Sequence, residues 1–89
     1  MLMQKELSIF KALSDKTRLR IVDILIDGEK CVCEIFPKIK RTQSTTSIQL
    51  SILEKANILT SRKDGKKVIY KICDKRILDI LKIIRNKKC

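Results

Sequence analysis

The apolar period changes abruptly within residues 43–72, and that change restricts the fold more than any other feature of the chain. Over about 43–56 the spacing is helical. At roughly 100° per residue, Thr46, Leu50, Leu53 and Ala56 share one side, and Ser44, Ser47, Ile48, Ser51 and Lys55 share the other. From residue 59 the period falls to two. Residues 59–63 and 66–72 read as a hairpin around Asp64-Gly65, with Val68, Tyr70 and Ile72 alternating inward. Asp-Gly favours a type I′ turn, which needs positive φ at both central residues. Arg62, Lys63, Lys66 and Lys67 crowd the hairpin tip. The outward helical face carries small hydroxyls and an isoleucine where a solvated helix would carry Glu and Lys, a surface shaped for close approach.

The remaining segments read as helices. Residues 2–13 place Leu2, Leu7, Ile9, Phe10 and Leu13 on one broad face, and Ser14-Asp15 supplies a stop and a new N-cap. A second helix over about 16–26 turns Leu19, Val22, Leu25 and Ile26 inward, and Asp27-Gly28 breaks it. A third is expected over roughly 31–39, with Pro37 tolerated only near an end or as a distortion. Lys40, Arg41 and Thr42 make the turn to the polar helix.

The last helix, about 74–86, spreads Ile77, Leu78, Ile80, Leu81, Ile83 and Ile84 over more than half its circumference. One monomer's core needs a stripe of about 100°, so the surplus predicts a homodimer through this helix and the first. With only Phe10, Phe36 and Tyr70 aromatic, aliphatic side chains must fill the core, which suits stacked helices. The expected fold is a single domain, 1–89, mainly α with a small β-hairpin: a winged helix-turn-helix of order α-α-α-α-β-β-α. A chain of 89 residues buries only about 60–65% of its unfolded surface, so a partner subunit helps.

The net charge of +11 is unevenly placed. Residues 1–29 carry five basic and five acidic side chains, and residues 30–89 carry sixteen basic and five acidic. An excess confined to one region is what a polyanion-binding surface needs, because each neutralised phosphate releases counterions. Membrane spanning is not expected, since no stretch approaches about 18 uninterrupted apolar residues. Lys5, Glu6 and Lys11 interrupt any secretory pattern, pointing to the cytoplasm.

In helix-turn-helix motifs the second helix enters the major groove of double-stranded DNA. Gln43 suits an adenine edge, Ser44 and Ser47 a base or phosphate, and Ile48 a thymine methyl, with Thr45 and Ser51 completing the surface. Lys40, Arg41 and Lys55 would hold the backbone, and Arg62, Lys63, Lys66 and Lys67 would reach phosphates or a minor groove.

Four cysteines in a cytoplasmic chain without histidine are expected as reduced thiols or soft-metal ligands. Enzymatic chemistry is not expected, because no Cys-X-X-Cys pair and no His base is present to activate a thiolate.

In order and over nearly the whole chain, the segments "LSDKTRLRIVDIL", "GEKCVCEI", "TQSTTSIQLSILEKANIL" and "SRKDGKKVIYKI" resemble the ArsR/SmtB family of metal-responsive repressors. The resemblance implies a homodimer joined by its first and last helices, an inverted-repeat operator, and release of DNA when a metal or metalloid binds. It also implies that Gln43, Ser44, Ser47 and position 48 face the operator. Position 48 is commonly His in the family and is Ile here, and Lys16 replaces a frequent Pro.

Cys31 and Cys33 sit in a segment resembling the family's "ELCVCDL" motif, which implies an inducer such as As(III), Sb(III), cadmium or lead; DNA binding itself would require no cofactor. Phe36 stands where the arsenite pattern often places a third Cys. Cys73 and Cys89 match no sensing motif. Asp74 remains from the family's zinc site, but Arg76 stands where a His would be. Residues two apart in a helix point about 200° from each other, so one ion taking both thiolates is expected to unwind the start of the third helix and weaken DNA binding by linkage. The alternatives are a repressor without metal sensing, responsive to oxidants, and a non-specific nucleic-acid-binding module.

Overall fold

The computed structural model describes residues 2–85, with side chains from Gln4 onward. Five helices surround a small sheet: α1 (Leu2–Leu13), α2 (Lys16–Leu25), β1 (Lys30–Cys31), α3 (Val32–Ile39), α4 (Gln43–Lys55), β2 (Leu59–Asp64), β3 (Lys67–Ile72) and α5 (Lys75–Arg85). The expected elements are present in the expected order, with β1 in addition. That strand is two residues long, too short to show a period, and pairs Lys30 with Tyr70 and Cys31 with Ile69, giving an antiparallel sheet of order β1-β3-β2.

Side-chain caps set the helix starts. The Asp15 carboxylate accepts from the Arg18 N–H at 3.0 Å and begins α2, as the sequence predicts. Thr42, expected in the turn, is the N-cap of α4, its hydroxyl accepting from the Thr45 N–H at 3.0 Å. At its other end α4 closes in a Schellman motif, with the Asn57 N–H on the Glu54 carbonyl and the Ile58 N–H on that of Leu53. Asn57 takes the left-handed conformation this requires, at φ 62°, and the fully buried Ile58 packs into the same core as Leu53. The motif turns the chain directly into β2.

The core joins Ile21, Val22 and Leu25 of α2 to Ile35 and Ile39 of α3, Leu50 and Leu53 of α4, and Ile58, Leu59 and Ile77. Leu19, expected inward, is 43% exposed, and Ile21 is fully buried. The inward stripe of α2 is Arg18, Ile21, Val22, Leu25, at i, i+3, i+4, i+7, and Leu19 falls one step beyond its edge. Arg18 is accommodated by hydrogen bonds: Nε donates to the Ala12 carbonyl at 2.7 Å and Nη1 to Gln49 Oε1 at 2.9 Å.

On α1, Ile9, Ala12 and Leu13 face the core, whereas Leu7 and Phe10 are exposed. The side chain of Leu2 lies outside those described. On α5 only Ile77 is buried; Ile80, Ile83 and Ile84 are exposed. Between α1 and α5 runs an apolar cleft of about 520 Å³ lined by Ile9, Phe10, Leu13, Ile77, Ile80 and Leu81. This is the surplus apolar surface that the residue pattern predicts.

The hairpin turn is displaced by one residue from expectation. Asp64 pairs with Lys67, leaving Gly65-Lys66 as the two-residue loop. Gly65 has φ 64° and Lys66 is not among the positive-φ residues, so only the first central position is left-handed, the type II′ pattern rather than I′. Glycine takes that first position, so Asp64 is free to close the ladder.

Candidate nucleic-acid interface and cysteine pair

The side of α4 away from the core is as the sequence predicts. Thr46, Leu50 and Leu53 are buried, and Gln43, Ser44, Ser47, Ile48 and Ser51 are exposed, Ile48 by 57%. Thr45 differs: it is half-buried, and Thr42 Oγ1 donates to its hydroxyl at 2.9 Å. That hydroxyl belongs to the cap and does not project freely. No acidic side chain stands in the first turn of α4, so the partial positive charge of the helix N-terminus is left open to an anion.

Lys40 and Arg41 are exposed just before this terminus. Lys40 also ends α3 in the left-handed conformation, at φ 59°. Lys63, Lys66 and Lys67 are exposed at the wing tip. Arg62, grouped with them by sequence, instead forms an ion pair with Glu29 across the strand face. It must leave Glu29 to reach any other anion.

Two polar links fix the hairpin and α4. Ser61 Oγ donates to Glu54 Oε2 at 2.8 Å, and Tyr70, cross-strand partner of Ser61, has its phenol held above the ordinary value by burial, then by the Glu54 charge, against the opposing Ser61 hydrogen bond. The other link is the Arg18–Gln49 bond, which ties α4 to α2 and, through Ala12, to the end of α1. Sequence reasoning missed both Arg18 and Gln49; an arginine in the inward slot of an apolar stripe is the signal that marks a buried polar tie.

The geometry of the cysteines overturns the expectation that both cannot be reached from an intact helix. Cys31 is not in the helix. It is the N-cap of α3, with extended backbone at φ −70°, ψ 150°, and its sulfur accepts from the Cys33 N–H at 3.1 Å. Glu34 Oε1 accepts the Cys31 N–H at 2.9 Å, completing a capping box. The extended cap swings the Cys31 sulfur over the first turn, so the two Sγ atoms meet with α3 fully formed. They are joined as a disulfide, not separate thiols as expected.

Cys31 is buried and Cys33 exposed. Cys73 is an exposed free thiol whose Sγ donates to the Asn57 carbonyl at 3.1 Å, and Cys89 lies outside the described residues. Among those residues no three His, Cys, Asp or Glu side chains gather as a metal cluster. Asp74 is occupied by Arg76, which donates from Nε at 3.1 Å and Nη2 at 2.9 Å. This pairing holds the Asp74 carboxyl below its ordinary value. No helix among the described residues is long and apolar enough to cross a membrane.

Residues 15–61 match the family described as "Bacterial regulatory protein, arsR family". An uncharacterised HTH-type transcriptional regulator of Methanocaldococcus jannaschii is 43% identical over 82 residues, covering 91% of this chain and 92% of that protein. The cadmium resistance transcriptional regulatory protein CadC of Listeria innocua is 42% identical over 80 residues, 89% of this chain and 67% of the relative. An arsenical resistance operon repressor of Staphylococcus aureus is 36% identical over 91 residues, covering 96% and 88% respectively. Among solved structures, the homodimeric winged helix-turn-helix DNA-binding domain Mb0332 of Mycobacterium bovis superposes with a TM-score of 0.84 at 25% identity, covering 96% of this chain and 82% of that one. The fold, the exposed face of α4 and these matches agree: the chain belongs to the ArsR family of winged helix-turn-helix transcriptional regulators.

Proposed function

We propose that this protein is a transcriptional repressor that binds an inverted-repeat operator as a homodimer and releases it when Cys31 and Cys33 take a thiophilic metal or metalloid. The observation carrying the DNA half is the bare face of α4, whose capped, acid-free N-terminus stands between exposed lysines of the turn and of the wing. Gln43, Ser44, Ser47, Ile48 and Ser51 read base edges; Lys40, Arg41, Lys55, Lys63, Lys66 and Lys67 hold phosphates. Arg62 joins them on leaving Glu29. The exposed apolar side chains of α1 and α5 form the dimer seam.

For the inducer half, the support is that both sulfurs lie on one side of an intact α3. In the reduced state they offer two thiolates to arsenite, antimonite, cadmium or lead. Inducer and operator then weaken each other through one coupling free energy, typically about 1–3 kcal/mol.

The test is fluorescence anisotropy on an inverted-repeat fragment from the upstream region, with arsenite, antimonite, cadmium or lead titrated into the reduced protein. The expected result is loss of DNA affinity that the Cys31→Ser, Cys33→Ser variant abolishes. Unchanged affinity at saturating ion leaves a repressor without metal sensing.

A further inference from the structure

Arg62 and Glu29 stand on opposite sides of the middle strand of the sheet. The strand order is β1-β3-β2, with Arg62 on β2 and Glu29 immediately before β1, so their ion pair reaches across β3. The register puts Thr60, Arg62 and Asp64 on one face of the hairpin, opposite Lys71, Ile69 and Lys67. Glu29 belongs to the turn Asp27-Gly28-Glu29, whose other carboxylate is also taken: Arg85 of α5 donates from Nη1 to Asp27 Oδ1 at 3.5 Å. Gly28, at φ 137°, turns the chain between the two acids. One short turn therefore holds an arginine from the end of α5 and an arginine from the wing.

The Arg62 contact is built to exchange. It joins Nη2 to Glu29 Oε2, and the two side chains are 53% and 47% exposed. An ion pair so exposed contributes little to stability, whereas a phosphate can accept two guanidinium N–H groups at once. Arg62 also lies three residues before Gly65, about 10 Å back from the tip along the strand. Lys66 and Lys67 stand at the tip itself and meet a DNA backbone first. Arg62 meets one only when the wing lies along it.

We propose that Glu29 sets the selectivity of DNA binding by standing in for a phosphate. On DNA of unrelated sequence, held by the lysines of the tip, Arg62 stays on Glu29. On the operator, seating of α4 in the groove lays the wing along the duplex, and Arg62 passes from the carboxylate to a phosphate. The contact then adds affinity only to the fully seated complex. This rests on the operator-reading role proposed above and names the residue that withholds one cation from DNA of the wrong sequence.

The experiment uses the full chain, reduced, and measures affinity for the inverted-repeat fragment and for a scrambled duplex of equal length across a salt series. The proteins are the parent, Glu29→Gln, Arg62→Gln, the double variant, and Asp27→Asn, which removes an equal charge from the same turn. Glu29→Gln is expected to raise affinity for the scrambled duplex about two- to fivefold, the range an exposed ion pair supplies, and to steepen its salt slope by about one. The gain on the operator is expected to be smaller, so the ratio of the two affinities falls. Arg62→Gln is expected to weaken the operator complex, flatten its slope by about one, and leave the scrambled duplex near the parent's affinity. In the double variant the selectivity effect of Glu29→Gln is expected to vanish. A selective parent whose ratio is unchanged by Glu29→Gln, or changed equally by Asp27→Asn or without Arg62, overturns this role for Glu29 and leaves operator reading standing. A parent with equal affinity for both duplexes overturns operator reading and this role together.

Discussion

The Cys31 sulfur accepts the backbone N–H of Cys33 at 3.1 Å, so one residue is both the first sulfur of the pair and the N-cap of α3. The two roles are separable by substitution. Serine is an efficient N-cap and alanine is not. Cys31→Ser is therefore expected to keep thermal stability near the parent's while losing the inducer response. Cys31→Ala is expected to lose the response and about 1 kcal/mol of stability as well, read as a lower Tm in calorimetry of the reduced protein.

The disulfide seen between Cys31 and Cys33 has no free thiolate for a metal. Oxidation with diamide is expected to remove two titratable thiols per chain and abolish the arsenite response; dithiothreitol is expected to restore both. Retention of the response after those two thiols are lost would place the inducer elsewhere.

Arg18 ties the end of α1 to α4 through Ala12 and Gln49. Arg18→Met keeps much of the apolar stem but leaves the Ala12 carbonyl and Gln49 unpaired at a half-buried site. The expected cost is about 1–3 kcal/mol of stability, together with weaker operator binding, because α4 loses its polar tie to α2 and the end of α1. Urea denaturation and anisotropy on the same preparation check both effects.

Asn57 holds a left-handed conformation at φ 62° in the Schellman turn after α4. Asn57→Ala is expected to destabilise by about 1 kcal/mol, since a β-carbon without a compensating polar group is strained there. Asn57→Gly is expected to be neutral or stabilising. Equal Tm values for the two variants would show that the turn does not depend on this conformation.

The raised Tyr70 phenol sets an alkaline limit. Its folded value lies above the unfolded one, so the folded state holds the proton more tightly. The associated stability is fully present below the ordinary 10.0 and is lost as pH rises through the folded value. Tyr70→Phe is expected to remove that part of the alkaline decline, seen by denaturation as pH is raised above the ordinary 10.0.

The polar face of α4 was legible because its two sides differ in kind: Thr46, Leu50 and Leu53 against Ser44, Ser47 and Ile48. The hairpin was legible from alternation, but its turn was off by one residue, because Asp64-Gly65 and Gly65-Lys66 both place glycine where φ is positive and only the ladder register separates them. Leu19 was misplaced because a pattern of hydrophobicity cannot see that Arg18 takes an inward slot through two hydrogen bonds. The cysteine geometry was not legible at all. It depends on one residue, Cys31, standing just outside the helix with extended backbone, and a one-residue shift in a helix boundary turns divergent sulfurs into adjacent ones.

The face of α4 and the wing together are expected to read a specific operator. The direct measurement is affinity for the inverted-repeat fragment and for a scrambled duplex of equal length across a salt series, for the parent, Gln43→Ala and Lys66→Gln, Lys67→Gln proteins. The expected result is a selective parent that loses selectivity in Gln43→Ala, and a salt slope shallower by about one for each wing lysine removed. Equal affinity of the parent for both duplexes at every salt concentration would contradict it.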